Sequence, residues 1–243
     1  MKELVDGLII LVDDNPPAMS VLAQSFGISD LAGHDSPQDV SSTNAFVRSL
    51  RDEFSVPFYV QRFTSLYAAT SKIEQRYRDS TKDGDDKLYL TVGVTDLVRP
   101  SYRTKVQGGE GDFGIINVAL WVLKNQAYHL RRDLHFRSVY ITNVYNFCTE
   151  LIASRPDSPA LRRRVEKKKE LLDKLMVQVD GDEYLVHKEK DEPFGEGKIT
   201  ADVISEVQDK LRCLVRSRLA HLEIQASLDA GGDPSDGKNY GTD

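Results

Sequence analysis

The 243-residue chain has only two cysteines, Cys148 and Cys213, far apart and without a CxxC pair. That excludes a disulfide scaffold and a cysteine-rich zinc site. No apolar run approaches the roughly 18 residues that a membrane span needs. The longest, Gly7 to Val12, is strand-sized, so no membrane partner is expected. The stretch MKELVDG lacks a basic region followed by a long apolar segment, so no secretory leader is expected and the cytoplasm is the expected compartment. Charge of one sign is missing too: 32 Lys+Arg face 38 Asp+Glu, for a formal net charge of -6. A general nucleic-acid binder would be basic, and no helix-turn-helix or other DNA-reading module is legible, so no direct nucleic-acid contact is expected. No GxxxxGK[ST] occurs, which argues against a P-loop ATPase.

What the chain does have is alternation. Residues 7–12, GLIILV, form a continuous apolar run with β-branched members, the mark of a strand buried on both faces. Asp13-Asp14-Asn15 stops it, and Pro16-Pro17 opens a helix carrying Met19, Leu22, Ala23 and Phe26 at helical spacing. Residues 27–56 read as an excursion, with Ser41 or Ser42 capping a short helix through Phe46, Val47 and Leu50. Further strands are predicted at 57–63, 88–95, 138–142 and 183–187. Helices are predicted after Thr64 or Ser65, over 113–130, around Phe147, over 158–176 and over 199–226. From Leu228 the composition turns to Asp, Gly, Ser and Pro, so residues 227–243 read as a disordered tail behind one domain over 1–226.

Five strand-plus-helix units in alternation imply an α/β fold with a doubly wound parallel sheet. In such a sheet the ligand site lies at the carboxyl ends of the strands. The residues there are Asp13-Asp14, Phe63-Thr64, Asp96, Thr142 and His187-Lys188. Three carboxylates, a hydroxyl and a basic residue converge, and that acidic set suits a hard divalent cation such as Mg²⁺.

In this order the blocks resemble the receiver domain of bacterial two-component response regulators. LIILVDDN is similar to that family's first strand with its acidic pair, and FYVQRFTSLYAATSKIEQ to its second strand and helix. TVGVTDLVRP resembles the third strand, with the phosphoacceptor aspartate followed four residues on by proline, here Asp96 and Pro100. RSVYITN resembles the fourth strand ending in the switch hydroxyl, here Thr142; GDEYLVHKEKD resembles the fifth, ending in a phosphate-contacting lysine.

The resemblance implies a flavodoxin-like (βα)5 fold, five parallel strands in the order 2-1-3-4-5, with insertions near 27–56, 101–111 and 156–180. It implies an aspartyl phosphoacceptor rather than an enzyme acting on other molecules. Asp96 would take the phosphoryl group; Asp13, Asp14, Asp96 and the backbone carbonyl of Val98 would hold Mg²⁺; Thr142 would bond a phosphoryl oxygen. Alignment on Tyr184 puts His187 at the lysine position and Lys188 one step further, so either could contact phosphate. The implied partners are a sensor histidine kinase or phosphotransfer protein and an unknown output protein. The stripe of the last helix is long enough to pair with a second copy.

Two other readings stand beside this one. A pseudo-receiver would keep the fold and bind partners without phosphotransfer, and His187 at the lysine position favours it. A nucleotide-binding enzyme would use Gly109-Glu-Gly-Asp-Phe-Gly114, which fits GxGxxG, although about twelve residues separate it from its strand where the fingerprint follows almost at once. Arg162–Arg164 and Lys167–Lys169 read as a solvated helix face balanced by Glu166 and Glu170.

Overall fold

The computed structural model describes residues 3–13, 16–28, 36–80, 87–97, 114–131, 136–190 and 197–230. The order is β1 (Glu3–Val12), α1 (Pro16–Ser25), β2 (Gln38–Asp39), α2 (Ala45–Phe54), β3 (Phe58–Phe63), α3 (Leu66–Ser80) and β4 (Lys87–Asp96). It continues with α4 (Gly114–Arg131), β5 (Arg137–Thr142), α5 (Val144–Ala153), α6 (Pro159–Gln178), β6 (Leu185–His187) and α7 (Ala201–Ala230).

The fold is α/β, with a six-stranded, mostly parallel sheet of the Rossmann or flavodoxin-like kind. Its order is β2-β3-β1-β4-β5-β6, so the expected five-stranded sheet is corrected to six. The added member, β2, has only two residues and pairs antiparallel with the outer edge of β3. It lies in the 27–56 excursion, where the returning chain runs past an open strand edge and satisfies part of it.

The apolar run of β1 explains its central place. Leu8, Ile10 and Val12 face one layer and Ile9 and Leu11 the other, all at most 1% exposed. Burying each such side chain contributes about 1.5–3 kcal/mol, which fixes β1 between β3 and β4, its parallel neighbours. Helices α1, α2 and α7 cover the Ile9 face through residues such as Leu22, Leu50 and Leu211. Helices α3, α4, α5 and α6 cover the Leu8 face through Ile73, Leu123, Leu151 and Leu172.

Local chemistry sets several boundaries. Helix α2 is capped by Asn44, not by Ser41 or Ser42: the Val47 N–H donates to Asn44 Oδ1 at 3.0 Å, while the Asn44 amide donates to the Ser25 carbonyl. Ser41 instead turns its hydroxyl and N–H to Asp39, whose carboxyl these bonds hold below the usual carboxylate range. The 156–180 segment is helix α6, which places Val165, Leu172, Leu175 and Met176 against α4 and α5. Helix α7 runs to Ala230, past the point where a tail was expected, and the remainder of that stretch lies outside the described residues. No helix among the described residues is long and apolar enough to cross a membrane.

Candidate functional site

Parallel pairing brings the ends of β1, β4, β5 and β6 to one edge. The register sets Val12 beside Thr95, so Asp13 follows beside Asp96. Asp96 in turn lies beside Ile141, and Thr142 beside His187. Asp13 leaves β1 with its N–H donating to the Phe63 carbonyl at 3.2 Å. Asp13 and Asp96 are each 2% exposed, so two carboxylates are buried at adjacent strand ends.

Lys188 answers one of them. Its Nζ donates to Asp96 Oδ2 at 2.6 Å, with side-chain exposures of 2% and 1%. Alternation along β6 puts Lys188, and not His187, on the Asp96 side. Val186 is buried in the α7 layer, His187 is exposed, and Lys188 is buried again. A period of two therefore carries Lys188 to the Asp96 side without a bulge. The Lys188 N–H donates to the Thr142 carbonyl at 2.9 Å, extending the β5–β6 pairing by one residue. His187 points the other way, edge-on to the Tyr145 ring with centroids 5.9 Å apart. Tyr145 also faces Lys169 Nζ, and its phenol is pushed well above the usual range by burial and then by Asp173.

Thr142 is fully buried. Its Oγ1 accepts the Val144 N–H at 3.0 Å, satisfying the first N–H of α5. That bond uses the hydroxyl as an acceptor, so its own proton can still be donated. Asn143, 5% exposed, accepts at Oδ1 from the Asn146 amide at 3.1 Å.

The chain folds back over Lys188 just beyond β6. Glu189 and Lys198 exchange backbone hydrogen bonds at 3.0 and 2.8 Å. Gly197, at φ +73°, lies so close that an added Cβ would meet Lys188 Cβ at 2.7 Å. Only glycine combines that conformation with that approach. Lys190 ties the same strap to α5 through Glu150, at 2.5 Å. Neither Gly197 nor the bridge was foreseen; the glycine among charged residues near the sheet end was the available signal.

Asp14, Val98 and Pro100 lie outside the described residues, as does the glycine segment up to Gly114, which opens α4. Among the described residues, no group of three or more His, Cys, Asp or Glu side chains is placed to hold a metal. The described donors are the buried carboxylates of Asp13 and Asp96, the second of them paired with Lys188. Hard oxygen donors in modest number, with water completing the shell, are what Mg²⁺ accepts, so this donor chemistry fits it.

No family model, curated protein or solved structure matches the chain.

Proposed function

We propose that the chain is a receiver-like phosphoacceptor of two-component signalling, modified at Asp96. The observation that carries this reading is the buried Lys188–Asp96 pair at 2.6 Å, at the end of an inner strand and beside Asp13. A buried ion pair of this kind is a poor device for stability alone, because desolvating both charges offsets much of their attraction. It is a good device for holding a carboxylate nucleophile ready beside a cation.

In the proposed step an Asp96 carboxylate oxygen attacks the phosphorus of a phosphohistidine or a small acyl phosphate. A new O–P bond forms, the bond to the leaving group breaks, and the leaving group departs with its electron pair. Lys188 then exchanges the Asp96 oxygen for a phosphoryl oxygen, and the Thr142 hydroxyl donates to another. A Mg²⁺ held by Asp13, Asp14 and Asp96 would neutralise the approach of one anion to another. The Thr142 hydroxyl also closes α5, so its reorientation reaches that helix directly. A sensor kinase or phosphotransfer protein would supply the phosphoryl group, and output would pass through protein contacts.

A second reading rests on burial. With its side chain 1% exposed and Gly197 packed over Lys188, Asp96 is closed off in a manner that suits an interaction module without phosphotransfer. One experiment separates the two. Intact mass is measured after incubation with Mg²⁺ and acetyl phosphate, for the wild type and for Asp96→Asn. A gain of one phosphoryl group in the wild type alone supports the phosphoacceptor. No gain under conditions that modify an ordinary receiver selects the interaction module.

A further inference from the structure

A cavity lies at the edge of the sheet opposite Asp96, beside the amino-terminal end of β5. Its volume is about 510 Å³, and its walls include Arg137, Asp180, Tyr184, Ser217, Arg218 and His221. Such a volume is within the usual range for small-molecule sites. Arg137 opens β5, Asp180 follows the end of α6, and the other wall is one face of α7.

Arg218 is the residue that calls for explanation. The buried stripe of α7 runs Val203, Val207, Leu211, Leu214 and Val215, and Arg218 takes the next position on it. It is 6% exposed, and its buried Nε has no hydrogen-bond partner among the described residues. Asp180 is committed to Arg137, at 3.0 Å from Nε and 2.9 Å from Nη2. Asp180 and Tyr184 therefore offer Arg218 only general attraction, while Arg137 opposes it; burial is the larger effect, drawing the guanidinium down to about 10. Nε itself is sealed from solvent, but a guanidinium drawn this far out of water costs free energy, and an oxyanion held in the cavity that Arg218 lines would offset its charge.

We propose that this cavity binds a small oxyanion-bearing molecule, a carboxylate or a phosphate, with Arg218 as its principal anchor and Arg137 as an auxiliary charge. The carboxylates of Asp180, Asp182 and Glu183 line the same cavity. They disfavour ligands of high negative charge and restrict the class to singly or doubly charged anions. The site lies at the other end of β5 from Thr142 and uses none of the residues around Asp96.

The test titrates the full chain with sodium phosphate and, separately, sodium acetate, against sodium chloride at equal ionic strength. Chelator is present, so that no divalent metal brings phosphate to the Asp96 edge. Affinity is read from melting temperature, and the site from the Arg218 Nε–Hε resonance. One of the two anions saturates, moves that resonance and binds about tenfold or more weakly to Arg218→Met, as loss of a charge-assisted bond requires. Asp96→Asn leaves this binding intact, whether or not Asp96 accepts phosphate. An Arg218 resonance unmoved by either anion overturns the proposal even if Arg218→Met fails to fold. So does equal affinity in Arg218→Met, or loss of binding in Asp96→Asn.

Discussion

The Lys188 ammonium crosses the end of β5 to reach the Asp96 carboxylate at the end of β4, 2.6 Å away and out of solvent. Removing either charge takes this buried ion pair away from the other. Lys188→Met should therefore destabilise the metal-free protein by about 3–5 kcal/mol. Adding Asp96→Asn to Lys188→Met should restore much of that loss, because no buried carboxylate then lacks the lysine's charge. Urea unfolding of the two single variants and the double variant measures this coupling. Additive losses would show that the pair contributes no coupling.

Thr142 joins the proposed site to α5 through one bond, from the Val144 N–H to Oγ1 at 3.0 Å. Thr142→Val keeps the shape and removes the acceptor, so it should cost about 1 kcal/mol, the usual worth of such a helix-end bond. It should leave phosphoryl uptake intact but remove the change in hydrogen exchange over Val144–Ala153 that follows it. Thr142→Ser should retain both. A full exchange response in Thr142→Val would remove the hydroxyl from the switch.

Asp13 and Asp96 bury two carboxylates at adjacent strand ends, where a bound cation would lower their mutual repulsion. Mg²⁺ should raise the melting temperature, because it binds the folded arrangement and not the unfolded chain. Asp13→Asn should reduce that rise sharply. An equal rise in the wild type and Asp13→Asn would place the metal elsewhere.

The two thiols should differ. Cys213 is exposed, whereas Cys148 is buried beneath α6, and burial pushes its thiol up to about 11 from the ordinary 9.0. At pH 8 a thiol reagent should label Cys213 rapidly and Cys148 only on unfolding. The folded thiol binds its proton more tightly than the unfolded one. Its contribution to stability is therefore fully present below the unfolded value near 9 and is lost as pH rises through about 11. Cys148→Ala should remove that part of the alkaline decline. Equal labelling of both thiols in the folded protein would contradict the packing of α5 under α6.

The parts of the fold legible in the sequence were those with strong local patterns. The run GLIILV reads as a doubly buried strand, and Asp13 and Asp96 stand out because each ends a strand. Strand β2 left no signal, since two polar residues have no period and their pairing with β3 is purely tertiary. The capping of α2 was misread because Ser41 and Ser42 are good caps in isolation, yet Ser41 is drawn to Asp39 and Asn44 takes the role. The lysine position was ambiguous because alignment on one tyrosine fixes no register, whereas alternation from buried Val186 through exposed His187 points to Lys188. Arg218 was hidden by its neighbours; an arginine four residues after Leu214, on the apolar stripe of α7, was the sign of a polar cavity.

The central claim is that the Asp96 carboxylate itself forms the acyl phosphate. It is tested most directly by borohydride reduction of the acetyl phosphate-treated protein, followed by peptide mapping. An acyl phosphate is reduced at its carbonyl carbon, so a modified aspartate becomes homoserine. Homoserine is expected at position 96 and at no other aspartate, and none without Mg²⁺. Homoserine at position 13, or no reduced residue at all after full treatment, would contradict it.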